Sequence, residues 1–95
     1  MAGQMGVKNG SFYIKKGEPV TLSLGSGFLF IKSEGTQYSG CFDVRYWEED
    51  IKPIGGVFSS GYINVTKNSG SANVTIEIRD DAVQHDYDLK YIFIG

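Results

Sequence analysis

The sequence predicts an all-β domain, an antiparallel β-sandwich of about seven strands with jelly-roll-like or Greek-key connections. Apolar and polar residues alternate with a period of two along most of the chain, and no stretch keeps helical spacing over three turns. The apolar segments are short and recur about every 10–12 residues. Polar, glycine-containing segments of the kind that form turns separate them.

Each predicted strand is justified by its own alternation or by an apolar run between turn signals. In "VTLSL" the apolar residues Val20, Leu22 and Leu24 share one face, and in "ANVTIEIR" the isoleucines alternate with polar residues. A five-residue loop, "KNSGS", joins two segments as in a hairpin. The predicted strands are 11–14, 20–24, 28–33, 41–48, 61–66, 72–79 and 87–94.

Two segments between these strands are predicted to differ from them. The segment 49–56 contains Pro53 and two glycines, which excludes a central strand because proline has no amide hydrogen to donate. The segment 80–85 is the one place where a short helical turn is expected.

The chain has 95 residues and 14% aromatic content, which fits one folded domain without room for a second core. We expect a flexible segment over 1–10 and the single β-sandwich domain over 11–95. The first ten residues lack the apolar run of a signal peptide, and no segment is long and apolar enough to span a bilayer. We therefore expect synthesis without a signal peptide and no membrane insertion.

Charge and cysteine content exclude several classes of partner. The net charge is −2, and no basic groove is evident, so nucleic acid is not an expected partner. Cys41 is the single cysteine, which rules out an internal disulfide; its apolar neighbours favour a small buried thiol.

No catalytic motif is present, so we expect a protein that is not an enzyme and that needs no cofactor. His85 is the single histidine and lies in a polar segment, and a zinc site would need more histidines and cysteines. Carboxylates cluster at 48–50 and at 80–88. These clusters are explained by loop carboxylates that are exposed to solvent. The alternative is a calcium-binding site, although neither cluster has the spacing of a calcium-binding loop.

The best candidates for ligand contact are aromatic residues on polar faces or in loops. Trp47 shares a strand face with Arg45, and Tyr38 and Tyr62 lie at strand ends or in loops. Flat rings beside hydrogen-bonding groups suit both sugar faces and protein hot spots. The alternative for Trp47 is that it packs under the 49–58 loop.

Two strands, "FLFI" (28–31) and "YIFI" (91–94), break the alternation and place apolar side chains on both faces of a sheet. Their second face needs a cover. The chain's own segment 51–58, a second copy of the chain, or a ligand or other partner could supply it. For the second case we predict an oligomer interface at Leu29, Ile31, Ile92 and Ile94.

The order of these segments resembles the small β-domains at the ends of phage tail-fibre and receptor-binding proteins. The similarity lies in "NGSFYIKKGEPVTLSL", "GSGFLFIKS", the hairpin "NVTKNSGSANVTI" and the terminal "KYIFIG". The resemblance implies a virion location and a homotrimer that packs apolar strands about a threefold axis and contacts a host surface glycan or protein through its loops.

The sequence therefore favours a non-enzymatic structural and recognition module of a phage virion or tail fibre. It would assemble with itself and bind through the loops 34–40, 47–58 and 80–88, where several weak sites add avidity. The alternative is a monomeric carbohydrate- or protein-binding β-sandwich, with calcium as a possible support.

Overall fold

A computed structural model describes residues 6–58 and 62–95 as two antiparallel β-sheets that share one core. The fold is all-β, as predicted. The eight strands are β1 (Val7–Lys15), β2 (Val20–Ser23), β3 (Gly27–Ser33), β4 (Ser39–Val44), β5 (Lys52–Gly56), β6 (Ile63–Lys67), β7 (Asn73–Ile78) and β8 (Asp86–Ile94).

The larger sheet has the order β1-β8-β3-β4-β5, and the smaller sheet has the order β2-β7-β6. The chain crosses between the sheets at the β1–β2, β2–β3, β5–β6 and β7–β8 connections. The first strand pairs with the last, and the second pairs with the last but one. The nesting ends there, because β3 pairs with β4 and β4 pairs with β5. Two antiparallel sheets around one core are compatible with the predicted β-sandwich.

The core lies between the two sheets and is built from alternate residues of the strands. On β7 the buried residues are Val74, Ile76 and Ile78, and on β4 they are Phe42 and Val44, as their alternation indicates. The other buried apolar residues are Ile14, Leu24, Leu29, Ile31, Phe58, Ile63, Ala82, Tyr87, Leu89 and Phe93.

Three sequence-based expectations need correction or extension. The segment around Pro53 forms β5, an eighth strand at the edge of the larger sheet, where a missing amide donor is tolerated. The predicted helical turn over 80–85 is a simple turn closed by a hydrogen bond from Ala82 N to Arg79 O, and the described residues contain no helix. The predicted strand 41–48 ends at Val44.

The N-terminal part of the domain begins earlier than the predicted boundary. Strand β1 starts at Val7 and pairs with β8 over its whole length, so residues 7–10 belong to the sheet. Residues 1–5 of the predicted flexible segment, and residue 61 of the predicted strand 61–66, lie outside the described residues.

Candidate functional site

The outer face of the larger sheet is the face that points away from the core. On β3 the outward residues are Phe28, Phe30 and Lys32, and on β8 they include Lys90 and Ile92. Antiparallel register places such residues side by side across neighbouring strands, about 4.8 Å apart. The face is therefore organised in rows that run across the sheet.

Two adjacent rows of this face form an exposed apolar surface. Val7 lies beside Ile94, which lies beside Phe28, and in the next row Ile92 lies beside Phe30. The exposed fractions are 60% for Val7, 49% for Phe28, 43% for Phe30 and 49% for Ile92, and Ile94 is half-buried. We call these five residues the apolar band.

The next row toward the other end of the sheet carries four hydrogen-bond donors. Ser11 pairs with Lys90, Lys90 pairs with Lys32, and Lys32 pairs with Ser39. We call these four residues the donor row. Lys90 also forms an ion pair with Glu34, with 3.2 Å between Lys90 Nζ and Glu34 Oε1. Like charges in directly opposite positions destabilise a sheet, so the placement of Lys32 opposite Lys90 is unusual.

A surface depression of about 730 Å³ lies between the apolar band and the donor row. Its side-chain lining includes Phe30 and Ile92 from the band, both lysines of the donor row, and Cys41. Burial raises the pKa of the Cys41 thiol. The residue is half-buried, whereas the sequence suggested a fully buried thiol.

The structure corrects half of the predicted oligomer interface. Leu29 and Ile31 are fully buried in the core of the same chain, so they cannot contact another copy on the outer face. Ile92 and Ile94 do point outward, next to the outward residues Phe28 and Phe30 of the neighbouring strand. The signal that could have separated the two sets is Lys32, because residues two and four positions before a solvent-facing lysine share its face.

The segment 51–58 does not cover this face. Its central part is β5, which extends the sheet sideways beside β4, and Phe58 enters the core. Ile54 and Val57 remain exposed. The chain's own loop is therefore the wrong candidate for the cover of the apolar band.

The four predicted ligand-contact residues fall into two separate groups. Tyr38 lies immediately before β4, whereas Arg45 and Trp47 follow its last residue. Six strand residues span about 20 Å, so the two groups lie at opposite ends of the sandwich. Tyr62 joins the first group.

Trp47 is the most exposed aromatic residue of the described chain, at 76%. It does not pack under the 49–58 loop. Instead its ring lies against Gly70, where a side-chain Cβ would come within 3.2 Å of the indole, and against the edge of Tyr46, with 4.9 Å between ring centroids. The backbone of Gly70 thus supports one side of a ring that is otherwise open to solvent.

The turn that carries Trp47 is held to the β6–β7 hairpin by several hydrogen bonds. The buried Lys67 ammonium donates to the carbonyl oxygens of Tyr46 (2.7 Å), Glu48 (3.0 Å) and Asn68 (2.6 Å). Ser69 Oγ donates to the Trp47 carbonyl at 2.8 Å. An aromatic ring on a fixed backbone loses less entropy on binding than one on a free loop.

Arg45 is exposed and forms an ion pair with Asp43, at 3.1 Å between Nη2 and Oδ2. The hydrogen bonds that Arg45 donates to the Asp43 carboxylate raise the pKa of this guanidinium above its usual value. Together with Glu48, Asp50 and Lys52, this pair lines a small charged cleft of about 100 Å³. Hydrogen-bonding groups are therefore present at the same end of the sandwich as Trp47.

The tyrosines at the other end form a packed cluster. Tyr38 and Tyr62 stack with 4.4 Å between centroids and pack against the core beside Phe58. Tyr87 lies beneath them, and its buried hydroxyl has no hydrogen-bond partner among residues 6–58 and 62–95. Because both stacked rings are half-buried, this cluster offers less free aromatic surface than Trp47.

The groups considered for chemistry remain apart in the structure. His85 contributes its backbone carbonyl to a hydrogen bond from Lys16 N. Within the described ranges, no three His, Cys, Asp or Glu side chains converge as a metal site would require. None of the described segments forms a helix able to cross a membrane.

No protein-family model, curated protein or solved structure matches this chain. The resemblance to terminal domains of phage tail fibres accordingly remains a prediction from the sequence.

Proposed function

We propose that this protein is a non-enzymatic recognition module that assembles with copies of itself and binds a surface glycan or protein through the loops at the ends of the sandwich. In this proposal the outer face of the larger sheet packs against a second copy. The resemblance to phage tail-fibre domains adds a finer proposal, a virion component that forms a trimer and contacts the host surface.

The observation that supports self-assembly is the exposure of the apolar band. Complete burial of a large apolar side chain is worth about 1.5–3 kcal/mol, so burying the exposed half of Val7, Phe28, Phe30 and Ile92 is worth roughly 3–6 kcal/mol per copy. Two copies that bury their bands together gain roughly twice that amount. The gain is comparable with the association cost of about 4–15 kcal/mol, so assembly depends on concentration.

The dimensions of the face are compatible with an interface. Five strands about 4.8 Å apart, and the seven residues of β3 at about 3.3 Å each, give roughly 24 by 23 Å, or about 550 Å² of projected area. A pair of copies would cover roughly twice this area, which lies at the lower end of specific interfaces.

The recognition part of the proposal is supported by the Trp47 turn. This turn belongs to the end of the sandwich, so it stays accessible when the outer face is covered. Several Trp47 turns on one assembly would engage a repetitive surface together, which raises avidity without tight binding at any single site.

The mass of the protein in solution tests self-assembly. Light scattering on a sizing column, run over a wide range of protein concentration, should give a mass that rises above 10.5 kDa. Phe28→Gln should restore the monomer mass, because the interface would bury an amide without a partner. Val83→Gln is the matched control, since Val83 is 93% exposed and lies outside the larger sheet. A wild-type mass of 10.5 kDa at every concentration would remove self-assembly from the proposal.

The exposed indole also favours the second candidate, a monomeric carbohydrate- or protein-binding domain. A glycan array probed with the wild type and with Trp47→Ala separates recognition from assembly. We expect Trp47→Ala to lose array binding while its mass and its thermal stability stay unchanged. Equal array binding by both proteins would exclude Trp47 as the contact residue.

A further inference from the structure

The depression beside the donor row combines an apolar wall with two cationic groups. Phe30 and Ile92 form the apolar side, and Lys32 and Lys90 form the polar side, with Ser11 and Ser39 at its two ends. All six residues are in register on one sheet face, so their positions follow from strand pairing rather than from loop conformation.

The charge around the depression favours an anion. Lys32 and Lys90 occupy directly opposite positions on β3 and β8. An anion bound between them would offset the repulsion between their positive charges. Three carboxylates flank the depression without lining it. Glu34 and Asp88 lie on the other side of the donor row, and Asp43 lies opposite Phe28 in the adjoining row, where it forms an ion pair with Arg45. Lys90 is paired with Glu34, whereas Lys32 has no ion-pair partner within the described ranges.

The apolar side is open because two of its outer positions are small. Cys41 and Gly55 are paired on β4 and β5, next to Phe30 in the same row. A Cβ built at Gly55 meets no atom within 4 Å, so this position faces open space. The volume of about 730 Å³ lies within the range of small-molecule sites.

We propose that this depression binds an amphiphilic anion, a carboxylate or phosphate carried on an apolar body. The anionic group accepts hydrogen bonds from the Lys32 and Lys90 ammonium groups and from the serine hydroxyls of the donor row. The apolar body lies against Phe30 and Ile92 and fills the space beside Gly55.

This site does not depend on self-assembly. It shares Phe30 and Ile92 with the apolar band, so a bound amphiphile and a second copy of the chain compete for them. Phe28, Val7 and Ile94 do not line the depression. A variant at Phe28 therefore separates the two functions.

The test is a ligand titration monitored by amide chemical shifts. Two host proteins are titrated: the Phe28→Gln variant, and the wild type at its lowest workable concentration. Three probes are compared. Decanoate has both an apolar chain and an anionic group, decanol has the apolar chain alone, and acetate has the anionic group alone. We expect decanoate to shift the amides of Lys32, Lys90 and Cys41, and decanol and acetate to bind at least about tenfold more weakly.

Two variants test the residues that carry the proposal. The double variant Lys32→Gln with Lys90→Gln should weaken decanoate binding at least about tenfold, whereas Lys15→Gln, an exposed lysine at the end of β1, should leave it unchanged. Gly55→Leu should block binding without loss of stability, because its backbone has no positive φ and its new side chain meets open space.

The proposal is overturned if decanoate causes no shifts in either host protein. It is also overturned if decanol binds as tightly as decanoate, if the lysine double variant binds as well as its host, or if Gly55→Leu still binds decanoate. If the light-scattering experiment shows a monomer, the decanoate titration still tests this proposal in the same way. Conversely, failure of decanoate to bind leaves the mass measurement unaffected.

Discussion

Adjacent residues of β3 should differ sharply in what they contribute to the isolated monomer, and the pair Leu29→Ala and Phe28→Ala measures the difference. Leu29 is 0% exposed and Phe28 is 49% exposed. Leu29→Ala removes buried atoms and leaves a cavity, which costs about 2–5 kcal/mol of the free energy of unfolding. Phe28→Ala removes a side chain that is only half-buried, which costs about 0.8–1.5 kcal/mol.

Urea and thermal unfolding at low protein concentration measure both costs. One kcal/mol corresponds to about 4–8 °C in Tm for a domain of this size, so we expect Leu29→Ala to lower the Tm by roughly 10 °C or more and Phe28→Ala by roughly 5 °C. At high concentration the loss caused by Phe28→Ala should grow, because assembly stabilises only the folded wild type. The loss caused by Leu29→Ala should stay constant.

Equal losses for the two variants in dilute solution would refute the reasoning. They would mean that Phe28 is already covered within a single chain, and the apolar band would then give no reason for self-assembly. If the stability lost by Phe28→Ala does not change with protein concentration, self-assembly through this face is contradicted, but the exposure of Phe28 in the monomer is not.

Two further predictions concern Lys67 and Cys41. Lys67→Met keeps the apolar stem but removes the ammonium donor from the carbonyl oxygens of Glu48 and Asn68, whereas Tyr46 O keeps a hydrogen bond from Gly70 N. We expect a loss of about 2–4 kcal/mol in urea unfolding, against less than about 0.5 kcal/mol for the exposed control Lys52→Met. Burial raises the pKa of Cys41, so its alkylation should be slower than that of a free thiol near neutral pH and should accelerate as the pH rises through the elevated pKa. Decanoate should slow this alkylation further in the Phe28→Gln protein, and an unchanged rate would contradict occupation of the depression.

The sequence predicted the parts of the fold in which each strand carries its own pattern. Alternation in β4 and β7 identified their buried residues, and the "KNSGS" segment located the hairpin between β6 and β7. These features are local, because the direction of each side chain follows from its position in the strand. The all-β class followed for the same reason.

The candidate site depended on features that a single strand does not contain. Where both sets of alternate residues are apolar, as in "FLFI", composition does not decide which set is buried, and half of the predicted interface was consequently wrong. Lys32 indicates that Phe28 and Phe30, which share its face, point outward. This became clear only when strand pairing placed Lys32 opposite Lys90. The donor row consists of four residues from four strands, so only strand pairing could reveal it.

The sequence by itself determined that this protein is built from short antiparallel strands and that two of them carry apolar residues on both faces. The tertiary structure decided which apolar side chains of these strands remain on the outer face. It also placed β5 at one edge of the larger sheet and Trp47 on the surface, with its ring against the backbone of Gly70. The physical reason is that burial depends on contacts between residues far apart in the chain. Local pattern fixes only the direction in which a side chain points relative to its strand.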